Sequence, residues 1–186
     1  MFLTPRPLSR LVLLAVVLLS FAATAAAQKR DHLTDHETDL IRFHQQLDKR
    51  IEVLIKAIDR RFAIINGLEQ AKTKKIDKEE PDWGDLPKGS RAQLLGDIAS
   101  ILDEAIEKID DVSSRDEKNP LIHRALRKLT AATNGYVTQV KTIAGQTKDA
   151  DELSAIDRVL QQAEQIIEAG NQLPPPSADK KKKNDP

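Results

Sequence analysis

Asp31, His32, Asp35, His36 and Asp39 crowd one short stretch of the chain. Two imidazoles four positions apart on a helix are a standard way to hold a divalent metal, and nearby carboxylates can complete the ligand set. On one helix, His32, Asp35, His36 and Asp39 would fall within an arc of about 100°. These four are the candidate metal ligands. Two features oppose them. Thr34 and Glu37 spell a T-x-x-E capping box, which starts the helix at Thr34 and leaves His32 outside it. Carboxylates at a helix N-terminus also complement its dipole, and the same positive end repels a cation.

The other histidines offer less. His44 lies eight residues beyond His36, about 12 Å along a helix, too far to share an ion. It falls on an apolar stripe and reads as a hydrogen-bonded core residue. A haem held between His44 and His123 would need a more aromatic pocket than this chain supplies. No histidine has a glutamate three positions before it, which excludes the paired Glu-x-x-His pattern of di-iron bundles. Asp103, Glu104, Glu107, Asp110 and Asp111 make an acidic helix face that reads as solvated. There is no Gly-rich phosphate loop, no G-x-S-x-G elbow and no H-E-x-x-H. With no cysteine, thiolate metal sites, covalent haem attachment and thiol catalysis are also excluded. The expectation is a non-enzyme without a cofactor.

Residues 11–27, LVLLAVVLLSFAATAAA, come after Arg6 and Arg10 and end in three alanines before Gln28. A basic start, an apolar run and an A-x-A site are the order of an export leader, so residues 1–27 are expected to be removed and the rest to work in the periplasm or outside the cell. The apolar run is shorter than the ~20 residues of a membrane-spanning helix. Residues 28–186 carry 27 basic and 29 acidic residues, a near-neutral balance with no electrostatic reason to seek nucleic acid. Their only aromatics are Phe43, Phe62, Trp83 and Tyr136, so the core must be aliphatic.

The elements that would position these residues are helices. Leu33, Leu40, Leu47, Leu54 and Leu68, interleaved with Ile51, Ile58 and Ile65, predict one long helix over about 34–67, stopped by Asn66-Gly67. Residues 69–89 form a charged linker interrupted by Pro81, Gly84, Pro87 and Gly89. Ser90 and Gln93 cap a second helix over 90–113, with Leu95, Ile98, Leu102, Ala105, Ile109 and Val112 as its stripe. Asn119-Pro120 opens a third over 119–146. Asn134-Gly135 is a turn signal inside it, so the segment reads as one kinked helix or two short ones, and the continuous apolar phase favours the kinked helix. Asp149 opens a fourth over 149–170, striped by Leu153, Ile156, Leu160, Ala163 and Ile167. Residues 171–186, with Pro174 to Pro176 followed by Lys180 to Lys183, read as a disordered tail.

The expected fold is all-α, an antiparallel four-helix bundle of residues 28–170 with a long N-terminal helix. About two turns of that first helix would outrun its neighbours, and the linker is expected to cover them, with Trp83 as a lid and the protein a monomer. Trp83 is also the candidate partner anchor, since tryptophan is enriched where binding energy concentrates. The expected function is protein–protein contact or a structural part of the cell envelope. The alternative is a metal- or small-ligand-binding bundle using the N-terminal His/Asp cluster.

Overall fold

The computed structural model describes residues 30–68 and 81–175. The expected leader 1–27, most of the charged linker and the lysine run 180–183 lie outside the described residues. The described part has five helices and no strand: α1 Asp35–Phe43, α2 Leu47–Ile65, α3 Arg91–Arg115, α4 Pro120–Ala144 and α5 Ala150–Asn171.

The starts follow the cap chemistry. Thr34 and Glu37 exchange both hydrogen bonds of a capping box, and so do Ser90 and Gln93. Asn119 caps a helix whose first residue is Pro120, and the Asp149 carboxylate accepts from the Asp151 and Glu152 amides. Gly67 ends α2 in the left-handed conformation, φ 67°. α4 is one helix through Asn134 and Gly135, the alternative that the phase of its apolar residues favours over two short helices.

The first helix is not continuous. His44 and Gln46 are extended, with ψ of 120° and 135°, so the chain turns between Phe43 and Leu47 and α1 folds back on α2. No proline or glycine marks this break. Its cause is tertiary. Glu37 bonds Arg60 and Arg61, 23 and 24 positions away, and in one straight helix those groups would stand about 35 Å apart. The turn brings them together and buries Leu33, Ile41 and Leu47. Arg50 Nε covers the exposed His44 carbonyl at 2.7 Å. The overhang expected of a 34–67 helix therefore does not exist.

α2 packs on α1, α3 and α4, and α5 packs on α3 and α4, while α3 and α4 touch least. Cross-helix bonds give the directions. Asp48 meets Lys128 and Asn66 meets Gln139, so α2 and α4 run parallel. Arg91 faces Glu152 and Arg158 faces Ser100, so α3 and α5 also run parallel. α4 and α5 are antiparallel, joined by 145–149. Their close approach is set by Gly170, where a Cβ would run into the Thr130 side chain.

The core is aliphatic, as the composition requires. Ile51, Leu54, Ile58, Leu95, Ile98, Leu102, Leu129 and Ile156 are almost wholly buried. Phe62 stacks on Tyr136 with ring centres 5.3 Å apart. The Tyr136 hydroxyl reaches Asp59 Oδ1 at 2.9 Å, and burial followed by the Asp59 charge pushes its pKa up. One stripe differs from the sequence reading. On α5 the buried residues are Ala155, Ile156, Val159, Ala163 and Ile166, and Leu153, Leu160 and Ile167 are left partly exposed.

Candidate functional site

The N-terminal His/Asp residues are pulled in different directions by the elements around them. His32 precedes α1 and turns toward α3, with Nε2 2.9 Å from Glu104 Oε2. His36 is more than half exposed, 4.0 Å from Asp82, with its ring against Gly84. Asp35 and Asp39 face solvent, and Asp39 pairs with Arg42 at 3.5 Å. The capping box fixes this divergence, because it places His32 before the helix and His36 on its first turn. Among the described residues no three His, Asp or Glu side chains converge as metal ligands would.

What the same region does build is a buried charge cluster. Glu37, wholly buried, takes Arg60 Nη1 (2.7 Å) and Arg61 Nη1 (3.0 Å) on Oε1. Its Oε2 accepts Arg61 Nη2 and the Thr34 amide, both at 2.9 Å. Arg61, 1% exposed, also donates to the carbonyls of Ala57 and His32 and lies 3.7 Å from Asp97. Arg60 donates to the carbonyls of Gly84 and Asp85 and stands 5.6 Å from the Trp83 ring centre. Burial lowers the Arg60 pKa, and the Glu37 charge opposes that. One carboxylate thus ties together the start of α1, the end of α2 and the linker. Trp83 is half-buried against the core, and Gly84 turns there with φ 59°.

The pattern held a signal for this cluster. Counting by sevens from Leu33 gives Leu40, Leu47, Leu54 and then Arg61, so the arginine occupies a core position. Counting back from Ile65, Ile58 and Ile51 gives His44 and then Glu37. Two opposite charges interrupting two apolar stripes of one segment are the mark of a buried pair.

A second group joins α2 to α4. Asp48, nearly buried, meets Lys128 at 3.0 Å and Arg124 at 3.7 Å, and Lys128 also holds Glu52. Burial pulls the Asp48 carboxyl up, but the Lys128 hydrogen bond and the charges of Lys128, Arg124 and Lys49 hold it below its usual range. Both groups are ion pairs that cross-link helices. Neither leaves a base facing a cleft.

The His32–Glu104 contact gives a pH signature. The hydrogen bond to Glu104, opposed by burial, raises His32 above 6.5, and the bond to His32 lowers Glu104 below 4.5. The raised histidine contributes stability fully below its unfolded value and loses it as pH rises through its folded value. The lowered carboxyl contributes above its unfolded value and loses it as pH falls through its folded one. The difference in urea midpoint between the wild type and His32→Gln should therefore be widest between 4.5 and 6.5 and shrink on both sides. A difference independent of pH would mean that the pair does not form.

The outer side of α4 and α5 carries a different feature. An open groove of about 640 Å³ runs between them, floored by Val137, Leu160 and Ile167 and edged by Lys141, Glu164 and Glu168. These three charged side chains are exposed and make no ion pair among the described residues. A smaller cleft of about 90 Å³, bordered by Ile106, Leu126 and Ile166, opens where α3, α4 and α5 meet. No described helix is long and apolar enough to cross a membrane. No family model, curated protein or solved structure matches this chain, so its function is argued from these residues alone.

Proposed function

We propose that this chain is an exported, non-catalytic four-helix bundle that acts by protein–protein contact, as an interaction or structural component of the cell envelope. The observation that carries the reading is the contrast between the two kinds of surplus polarity. The ionic groups inside, around Glu37 and Asp48, are engaged with one another and cross-link the helices. Of the apolar groups left outside the core, Val137, Leu160 and Ile167 line an open groove on α4 and α5 whose edge charges make no ion pair among the described residues, while Phe43, Leu68 and Leu86 are exposed singly elsewhere. An apolar patch rimmed by polar residues on a small protein is the usual form of a contact surface. The bundle itself is read from the ring of contacts in which α2 and α5 each pack on both α3 and α4. Export is supported by the Arg6, Arg10 and residue 11–27 pattern.

The test is the size of the protein where it works. In a gentle extract of the cells that make it, the protein should sediment heavier than a single chain. Leu160→Glu should sediment as a folded single chain, with some stability lost because Leu160 also packs against the core. A wild-type protein that sediments as one chain overturns the reading.

A further inference from the structure

We propose that the α4/α5 groove receives the same face of a second copy of this chain, in a two-fold pair with antiparallel helices. The inference rests on the contact reading above and names the partner. Its basis is the symmetry of the groove. α4 and α5 are antiparallel, and Thr130 of α4 bonds the Ile166 carbonyl of α5, which sets Val137 level with Leu160. Lys141 lies four residues beyond Val137, about 6 Å along α4. Glu164 lies four residues beyond Leu160, the same distance in the opposite direction. The face therefore carries Lys141 and Glu164 equally spaced on either side of an apolar middle, with Glu168 one turn farther out on the negative side.

Such a face is complementary to itself. A two-fold axis lying in the interface, crossing the helices at the level of Val137 and Leu160, reverses the levels and keeps each helix opposite its own copy. Lys141 of one copy then comes level with Glu164 of the other, twice by symmetry. On α5, Leu160 meets Leu160 at the axis. Leu153 and Ile167, each seven residues or about 10 Å from Leu160, exchange places and face one another. The half-exposed stripe that the α5 core leaves unused, Leu153 at 38% among it, becomes the seam of an antiparallel helix pair. The expectation of a monomer rested on a continuous 34–67 helix covered by the linker, and that helix is broken at His44.

Sedimentation velocity of the purified protein across a concentration series tests this. The wild type should reversibly form a dimer, and Leu160→Glu should abolish it while the chain stays folded, though less stable because Leu160 also packs against the core. Lys141→Glu should weaken the dimer about tenfold or more, because it sets like charges level with one another diagonally across the facing grooves. Combining Lys141→Glu with Glu164→Lys should restore affinity to within about threefold of the wild type, since reversing both ends keeps them complementary. Both charge changes are at exposed positions and leave the core untouched. A purified wild type that stays a single chain at about 100 μM, where a contact of even ~−5.5 kcal/mol would be half formed, overturns the proposal. So does a dimer that Leu160→Glu leaves intact, or a double change that fails to restore affinity. If the purified protein is a single chain yet the cell extract holds it in a heavier particle, the second copy is wrong and the contact reading stands. If both are single chains, both are wrong.

Discussion

Glu37→Gln is expected to destabilise the protein by about 3–5 kcal/mol, the usual cost of removing one partner of a buried ion pair. The side chain keeps its shape, so no cavity is made. What changes is that Arg60 and Arg61 lose their shared counter-charge in a region where Glu37 is 0% and Arg61 1% exposed. The new amide also turns a donor toward other donors: Arg60 Nη1 and Arg61 Nη1 if its nitrogen takes the Oε1 place, Arg61 Nη2 and the Thr34 amide if it takes the Oε2 place. The bond from the Thr34 amide to Glu37 weakens as well, whereas Thr34→Ala removes the reciprocal half of the capping box, the Glu37 amide's bond to the Thr34 hydroxyl, at about 0.5–2 kcal/mol. Urea unfolding of the single variants and of Glu37→Gln with Arg61→Met isolates the coupling. In the double change the more deeply buried of the two cations is gone and Arg60 remains, so part of the penalty should return. A Glu37→Gln variant within about 1 kcal/mol of wild type would mean that the cluster is solvated and that something else folds α1 back on α2.

The same cluster explains where the sequence is readable and where it is not. Local signals sufficed for the starts of the helices, because Thr34, Ser90, Asn119 and Asp149 act on amides two or three residues away. They sufficed for α4, where the phase of Ile122, Leu129 and Tyr136 outweighed the turn preference of Asn134-Gly135. They failed at His44, because folding α1 back leaves the seven-residue spacing unchanged on both sides of the break. Periodicity cannot register such an event. Only the charges at Glu37 and Arg61, standing where apolar residues belonged, carried the information.

The candidate site divides in the same way. The His/Asp residues share a stretch of sequence, but His32 is drawn to Glu104, 72 positions away, and no local pattern foretells that. The outer groove was hidden for the opposite reason. α5 has apolar residues on two adjacent stripes, and steps of three and four residues merge them into one. Which stripe is buried depends on how α5 sits on both α3 and α4, and only the packing separates Leu160 and Ile167 from Ile156 and Val159. Trp83 drew attention as a lone large aromatic, yet Arg60 holds it against the body of the protein.

If the outer face of α4 and α5 is where the protein meets a partner, that face must be covered in the cell. A photo-reactive side chain in place of Leu160 reaches into the groove from the edge of the core, and one in place of Asp103 projects from the exposed acidic face of α3. Groups buried in a contact react with whatever covers them, while groups facing water are quenched. Irradiating the cells that make the protein should therefore give a discrete protein adduct from position 160 and none from position 103. Because a half-exposed leucine in a seated interface is shielded from solvent for as long as the complex lasts, the contrast should be close to all-or-none rather than a matter of degree. A discrete adduct from 160 alone is the expected result, and its absence, or equal adducts from both positions, would rule out this face as the contact.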